Sequence, residues 1–290
     1  MFKRAARIVL IGSGAAVLAM ALAMVWLKTH EDELVFAAER SRQHILPALP
    51  ADAERVAVPA PGGELAGVVY RADGSGSDTY WMLHLHGNAD SAFSPGQVRH
   101  CEALRRSGFN VLEIDYRGFG PTPGRPSEAG MSDDSEAAYR ELLRRGVPPN
   151  RIILLGHSLG SGPAVLLATR HNAAALVLFG AFTSIPDAAA ERYPYLPVRL
   201  VVGVQFNSLA RIGDVHMPVV IAHSRGDTLI PYSHALKLFA AANEPKHLIT
   251  FDAPTNDGFG GHVDDLYEHV GILRSALAGL VPVIPPPVEL

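Results

Sequence analysis

Hydrophobic positions along this chain fall into short runs separated by glycine-, proline- and polar-rich turns. Residues 55–58 and 65–71 read as β pieces, joined by the turn Pro59-Ala-Pro-Gly-Gly63. Residues 80–85 form a continuous apolar run, the mark of a strand covered on both faces, and 110–115, 152–155, 174–179, 219–223 and 247–251 read as further strands. Helical patterns lie between them, over residues 94–107, 132–145, 163–169 and 264–280. Ser132 suits an N-cap and Gly146 a stop. Strands alternating with helices imply βαβ units. The expected class is α/β, with a mostly parallel eight-stranded sheet flanked by helices. In such sheets functional groups collect just after the carboxyl ends of strands.

The N-terminus breaks this pattern. Lys3, Arg4 and Arg7 precede an uncharged run from Ile8 to Leu27, about 20 residues, the length of a bilayer-spanning helix. The basic residues before it orient the N-terminus to the cytoplasm and the remainder outward. The run continues through Met24-Val-Trp-Leu27, which favours an uncleaved anchor. A cleaved signal peptide is the alternative, with Ala19-Met-Ala21 or Ala21-Leu-Ala23 as cleavage sites and a secreted or periplasmic product. The expected organisation is then an anchor or signal over 1–33 and a connector over 34–50. A catalytic domain over 51–280 and a proline-rich tail over 281–290 complete it.

Composition adds limits. The chain has 290 residues, 48% hydrophobic and 19% charged, with a net charge of −4. That is enough for one large domain, and nothing in it marks a nucleic-acid partner. The single cysteine, Cys101, excludes a disulfide framework and a Cys-based metal motif, and it reads as a buried structural thiol. His84 and His86 fall on one face of a strand, but no third metal ligand is evident, so no metal is expected. Oligomeric state is not legible.

The chemistry centres on Gly156-His-Ser-Leu-Gly160. A serine between glycines at a strand-to-helix junction is the nucleophile-elbow pattern. Gly156 and Gly160 remove side chains where strand and helix approach, and the Leu159 N–H faces a developing oxyanion. Asp227 follows the 219–223 strand and suits an acid that orients a histidine. Asp214 and Asp252 are weaker choices. His262, in a glycine-rich loop after the last strand, completes the order Ser…Asp…His as the base. His86-Gly-Asn88 ends the 80–85 strand; Gly87 allows close approach, and the Asn88 N–H would join that of Leu159 in an oxyanion hole.

Together these residues resemble the α/β-hydrolase fold. His86-Gly-Asn-Ala89, Asp115-Tyr-Arg-Gly-Phe-Gly120, Pro126-Ser-Glu128, Gly180-Ala-Phe-Thr-Ser184 and Gly261-His262 resemble more closely the membrane-anchored, bud-emergence-type members, which are related to serine aminopeptidase-like hydrolases. The resemblance spans residues 51–280 and departs from the family pattern at Asp90 and Ser161. It implies a serine hydrolase acting through an acyl-enzyme, without metal or organic cofactor. Some eukaryotic members are protein depalmitoylases, an activity the resemblance does not carry to this chain. Residues 185–217, with Tyr193-Pro-Tyr-Leu-Pro197, occupy the position of a small cap, and their apolar character points to a lipid-like acyl substrate. An aminopeptidase, with Asp90 or Glu191 holding a substrate amine, is the rival within hydrolases. A membrane-tethered binding protein on the same fold is the rival from another class.

Overall fold

The computed structural model describes residue 14 and residues 18–43, 45–46, 48–252 and 269–281. β1 (Ala53–Ala60) and β2 (Gly63–Tyr70) form a hairpin in register Ala60↔Gly63. Its turn needs positive φ at Gly62 (98°) and Gly63 (138°), which glycine adopts without steric cost. β2 pairs antiparallel with β4 (Asn110–Ile114). From β4 onward every pairing is parallel, through β3 (Trp81–Leu85), β5 (Ile152–His157), β6 (Ala175–Phe179), β7 (Val219–Ser224) and β8 (Lys246–Phe251). The order is β1-β2-β4-β3-β5-β6-β7-β8, the eight-stranded, mostly parallel sheet that the hydrophobic runs imply.

β3, β4, β5, β6 and β7 are buried along their whole length because helices cover both faces. Trp81, Leu83 and Leu85 of β3 join the core beneath α5 (Glu128–Arg144), α6 (Ser161–Arg170) and α8 (Ser233–Ala241). Met82, on the opposite face, joins the core beneath α4 (Pro95–Arg106) and α9 (Val270–Leu280).

α5 starts earlier than the expected residue 132. Ser127 is the N-cap, its Oγ accepting the Gly130 N–H at 3.0 Å, and the Ser132 hydroxyl instead donates to the Glu128 carbonyl. Gly130, a poor helix former, masks that first turn in the sequence. It is required there, because a Cβ would meet the Arg117 side chain at 2.7 Å.

Within the expected connector, residues 34–50, the chain folds against the domain. Residues 18–29 are helical (α1), followed by α2 (Glu31–Phe36) and α3 (Ala38–Ser41), with Ala37 left-handed between them. Phe36 is fully buried in the core of the α5–α6 face. Ser41 Oγ accepts the Gly120 N–H at 2.8 Å, and the Leu46 N–H donates to the Phe93 carbonyl at 2.9 Å. Among the described residues no helix is long and apolar enough to cross a membrane; most of residues 8–17 lies outside them.

Residues 185–217 form α7 (Ile185–Arg192) and short 3-10 turns. Their stretch 203–206 is pinned by two carboxylates. Glu31 accepts the N–H groups of Gly203 and Val204 at 2.5 and 2.6 Å. Glu128 accepts those of Gln205 and Phe206 at 2.7 and 2.9 Å. Burial opposes ionisation of Glu31, but the hydrogen bond from Lys28 and the two backbone N–H groups outweigh it and lower its pKa.

Candidate active site

β5 ends at His157, and Ser158 turns the chain with φ +49°. That left-handed conformation costs a residue with a Cβ about 1–3 kcal/mol and persists only where the surroundings enforce it. Here they do. A Cβ on Gly156 would stand 2.6 Å from Ala164 Cβ and 2.7 Å from the Gly160 carbonyl oxygen. A Cβ on Gly160 would stand 2.0 Å from the Leu85 carbonyl oxygen and 2.6 Å from that of His86. The turn Ser158–Gly160 is therefore clamped between β5, α6 and the end of β3, and α6 starts directly from it at Ser161. Leu159 lies in the same turn, buried at the entry to α6.

The loop after β3 lies against the serine. A Cβ on Gly87 would be 3.2 Å from both Ser158 Cβ and His157 Nδ1, so only glycine brings this backbone so close. Next in the chain, Asn88 is fixed through its side chain: Nδ2 donates to the Val35 carbonyl at 2.8 Å, and Oδ1 accepts the Ala89 N–H at 2.8 Å. Ala89 itself is left-handed, with φ 58°.

Asp115, at the end of β4, braces this loop, a role the sequence reading did not assign. Its carboxylate accepts the Ser91 hydroxyl at 2.7 Å and the Ala92 N–H at 2.8 Å, and it lies 3.2 Å from His86 Nε2. Burial alone would favour a neutral His86. The adjoining Asp115 carboxylate, with the charges of Glu113 and Asp90, prevails and pushes its pKa up to about 9. Tyr116 donates to the His86 carbonyl at 3.2 Å. The available signal was position: Asp115 directly follows a buried strand, as the other candidate groups do. Behind it, Arg117 binds the buried Asp134 of α5 through Nε and Nη2, the shortest contact being 2.6 Å.

Asp227 follows β7 and is buried. One oxygen accepts the N–H groups of Leu229 and Ile230 at 2.9 and 2.8 Å, and the other lies 3.2 Å from His223 Nε2. Its fixed carboxylate thus stands at the strand end where the motif order puts an acid. Asp252 is exposed and pairs with Arg225, and Asp214 precedes β7 in a 3-10 turn. His262 lies outside the described residues. Ser158 and Gly87 are brought together, with Leu159 in the same turn.

Asp90 and Glu191 have structural partners. Asp90 accepts the Ser91 N–H at 2.9 Å, the Gln97 side-chain amide at 2.5 Å and the Ser94 hydroxyl, which ties it to the first turn of α4. Glu191 lies 3.2 Å from His234 Nε2 and 3.7 Å from Lys237 Nζ. At the other departure from the family pattern, Ser161 is fully buried and its hydroxyl has no hydrogen-bond partner among the described residues.

Comparison with known proteins agrees with this geometry. The serine aminopeptidase (S33) family model matches residues 80–210. An uncharacterized protein of Mycobacterium tuberculosis is 38% identical over 202 residues, 69% of this chain and 71% of that one. Lysophosphatidylserine lipase ABHD12 of Danio rerio is 32% identical over 185 residues, 58% of this chain and 48% of its own length. Among solved structures, an α/β hydrolase from Vibrio vulnificus superposes with a TM-score of 0.70 at 18% identity, covering 86% of this chain and 93% of that one. With the sheet order, the glycine-clamped turn and these relatives in agreement, the chain belongs to the α/β-hydrolase family.

Proposed function

We propose that the chain is a serine hydrolase of ester, thioester or amide bonds. The observation that carries this reading is Ser158 held at φ +49° in a turn that tolerates no Cβ at Gly156 or Gly160. Strain of this kind is retained where a hydroxyl must be presented at a strand end. In the proposed mechanism Ser158 Oγ attacks the substrate carbonyl carbon, and His262 takes its proton. Asp227 orients His262 and stabilises its imidazolium. The N–H groups of Asn88 and Leu159 receive the oxyanion. Collapse expels the leaving group, protonated by His262, and leaves an acyl-enzyme. Water, activated by the same histidine, then releases the acid.

The proposed substrate carries an apolar acyl chain. Tyr193, Tyr195 and Leu200 of the proposed cap, residues 185–217, are exposed apolar side chains, and a lipase is among the relatives. We also propose that residues 8–27 anchor the chain, as in bud-emergence-type members, with the catalytic domain outward. Leu18, Leu22, Val25 and Trp26 of α1 are exposed, as a lipid-facing helix requires. The aminopeptidase reading is weaker. The acidic residues it would use on a substrate amine, Asp90 and Glu191, are engaged in structural contacts.

The test is fluorophosphonate labelling of the folded protein, with a panel of p-nitrophenyl esters of graded chain length beside aminoacyl amides. A Ser158 adduct absent from Ser158→Ala and a preference for longer esters are expected. Labelling indifferent to Ser158→Ala would sink the enzyme reading. Preference for amides bearing a free amine would replace the esterase with an aminopeptidase.

A further inference from the structure

Strand alternation sets His84 and His86 on one face, but the structure parts them. Beyond the end of β3, His86 packs on Tyr116 and Phe119 beside Asp115. His84, inside the strand, meets Cys101 of α4 and Glu113 of β4. All three side chains are fully buried. Cys101 Sγ is 3.7 Å from His84 Nδ1 and 3.0 Å from Glu113 Oε2, and His84 Nδ1 is 3.2 Å from Glu113 Oε1. The last pair is close but not aligned as a hydrogen bond: Glu113 Oε1 has no hydrogen-bond partner among the described residues. One ligand atom from each of the three lies within 4.8 Å of the others. The hydroxyl of Tyr70 is likewise buried and without a hydrogen-bond partner among the described residues.

We propose that His84, Cys101 and Glu113 hold a zinc-type divalent cation that joins β3, β4 and α4. Zinc–sulfur bonds of about 2.3 Å and zinc–nitrogen or –oxygen bonds of about 2.0–2.1 Å, at tetrahedral angles, put sulfur about 3.6 Å from its neighbours and the lighter pair about 3.4 Å apart. The sulfur–nitrogen separation of 3.7 Å already matches; the thiol donates a hydrogen bond to Glu113 Oε2 at 3.0 Å, and a cation would replace that bond, moving the oxygen outward by about 0.6 Å. Thiolate, imidazole and carboxylate together suit zinc and exclude calcium and magnesium, which take oxygen ligands.

Charge balance agrees. A divalent cation displaces the proton that Sγ donates to Glu113. Its two positive charges are cancelled by thiolate and carboxylate, so the filled site is neutral and avoids the cost of a buried net charge. The fourth vertex is left for a small ligand such as water. Full burial makes the site structural rather than hydrolytic. It fixes the end of β3 three residues before Gly87, beneath the loop that abuts Ser158. The sequence concealed it because the ligands come from two strands and a helix with no motif spacing.

The test is metal analysis of the full chain, expressed with zinc and freed of any purification tag, by inductively coupled plasma mass spectrometry. One zinc per chain is expected in wild type and Ser158→Ala, with loss in Cys101→Ser and Glu113→Gln. Because either variant can fold poorly, the wild-type chain is also stripped, refolded and titrated with cobalt(II). A thiolate-to-metal charge-transfer band and a raised melting temperature are expected. Zinc content unchanged in both variants overturns the proposal. So does a wild-type chain that purifies without metal and gives no such band.

Discussion

Gly160 allows the geometry of the serine turn to be tested by one methyl group. Its backbone is right-handed helical (φ −64°, ψ −14°), so alanine there carries no backbone strain. Restricting the unfolded chain would by itself favour alanine by about 0.4–1 kcal/mol. The added Cβ, however, would sit 2.0 Å from the Leu85 carbonyl oxygen, against a closest ordinary approach of 3.0 Å. The obstacle is backbone of a buried strand, so no rotamer change relieves it, and about 1 Å of movement is needed between the turn and β3. Overpacking of this kind costs about 1–3 kcal/mol or more, and an obstacle of backbone puts it at the upper end. The net loss is about 2 kcal/mol, or a fall in Tm of about 4–8 °C for a chain of this size. A displacement of about 1 Å at a nucleophile costs about 100-fold in rate, so kcat on a p-nitrophenyl ester should fall by that much. Gly271→Ala is the control: its Cβ would meet nothing within 4 Å, and it should be neutral or stabilising by up to about 1 kcal/mol. Gly87→Ala, 3.2 Å from Ser158 Cβ, should lose activity with a smaller change in Tm. Wild-type Tm and kcat in Gly160→Ala would refute this account of the turn.

Other perturbations reach the remaining parts of the site. If Ser158, His262 and Asp227 act as a unit, Ser158→Ala and His262→Ala should each lower kcat by about six orders of magnitude and Asp227→Ala by about 10⁴, read from steady-state ester hydrolysis. Asp134→Ala strips the partner from Arg117 inside the domain. It should destabilise by about 3 kcal/mol in urea unfolding, with Asp134→Asn milder because it keeps an acceptor. Glu31 gives a pH signature. Its pKa is lowered in the folded state, so its contribution is complete above the unfolded value of 4.5 and is lost as pH falls through the folded one. A melting series from about pH 6 to about pH 3 should show the difference between wild type and Glu31→Gln narrowing as pH falls below the unfolded value. A constant difference would remove Glu31 from the acid response.

Much of this fold was legible because it rests on local signals. Buried parallel strands appear as apolar runs, and the serine turn is written in consecutive residues. Asp227 and Gly87 follow the ends of β7 and β3, as the strand pattern implied. What the sequence hid is non-local or polar. Gly130 disguised the first turn of α5 because its requirement comes from the Arg117 side chain. Asp115 had position but no obvious task, since its partners lie in a different loop. His84, Cys101 and Glu113 are separated by 17 and 12 residues and converge only when α4 lies on β3 and β4.

The two carboxylates that pin residues 203–206 bear on where the working enzyme begins. A chain cut at residue 51, the start of the sheet, would keep every strand. It would also lose Glu31 from Gly203 and Val204, Val35 from Asn88, Ser41 from Gly120, and Phe36 from the core. One of the two tethers and the outer hold on the loop beside Ser158 would go together. Residues 31–41 of the N-terminal arm are thus part of the packing around the Ser158 turn, whatever the segment before them does. A shortened protein should keep its sheet while losing the registration of cap and loop, and proteolysis just ahead of β1 would act as an off-switch.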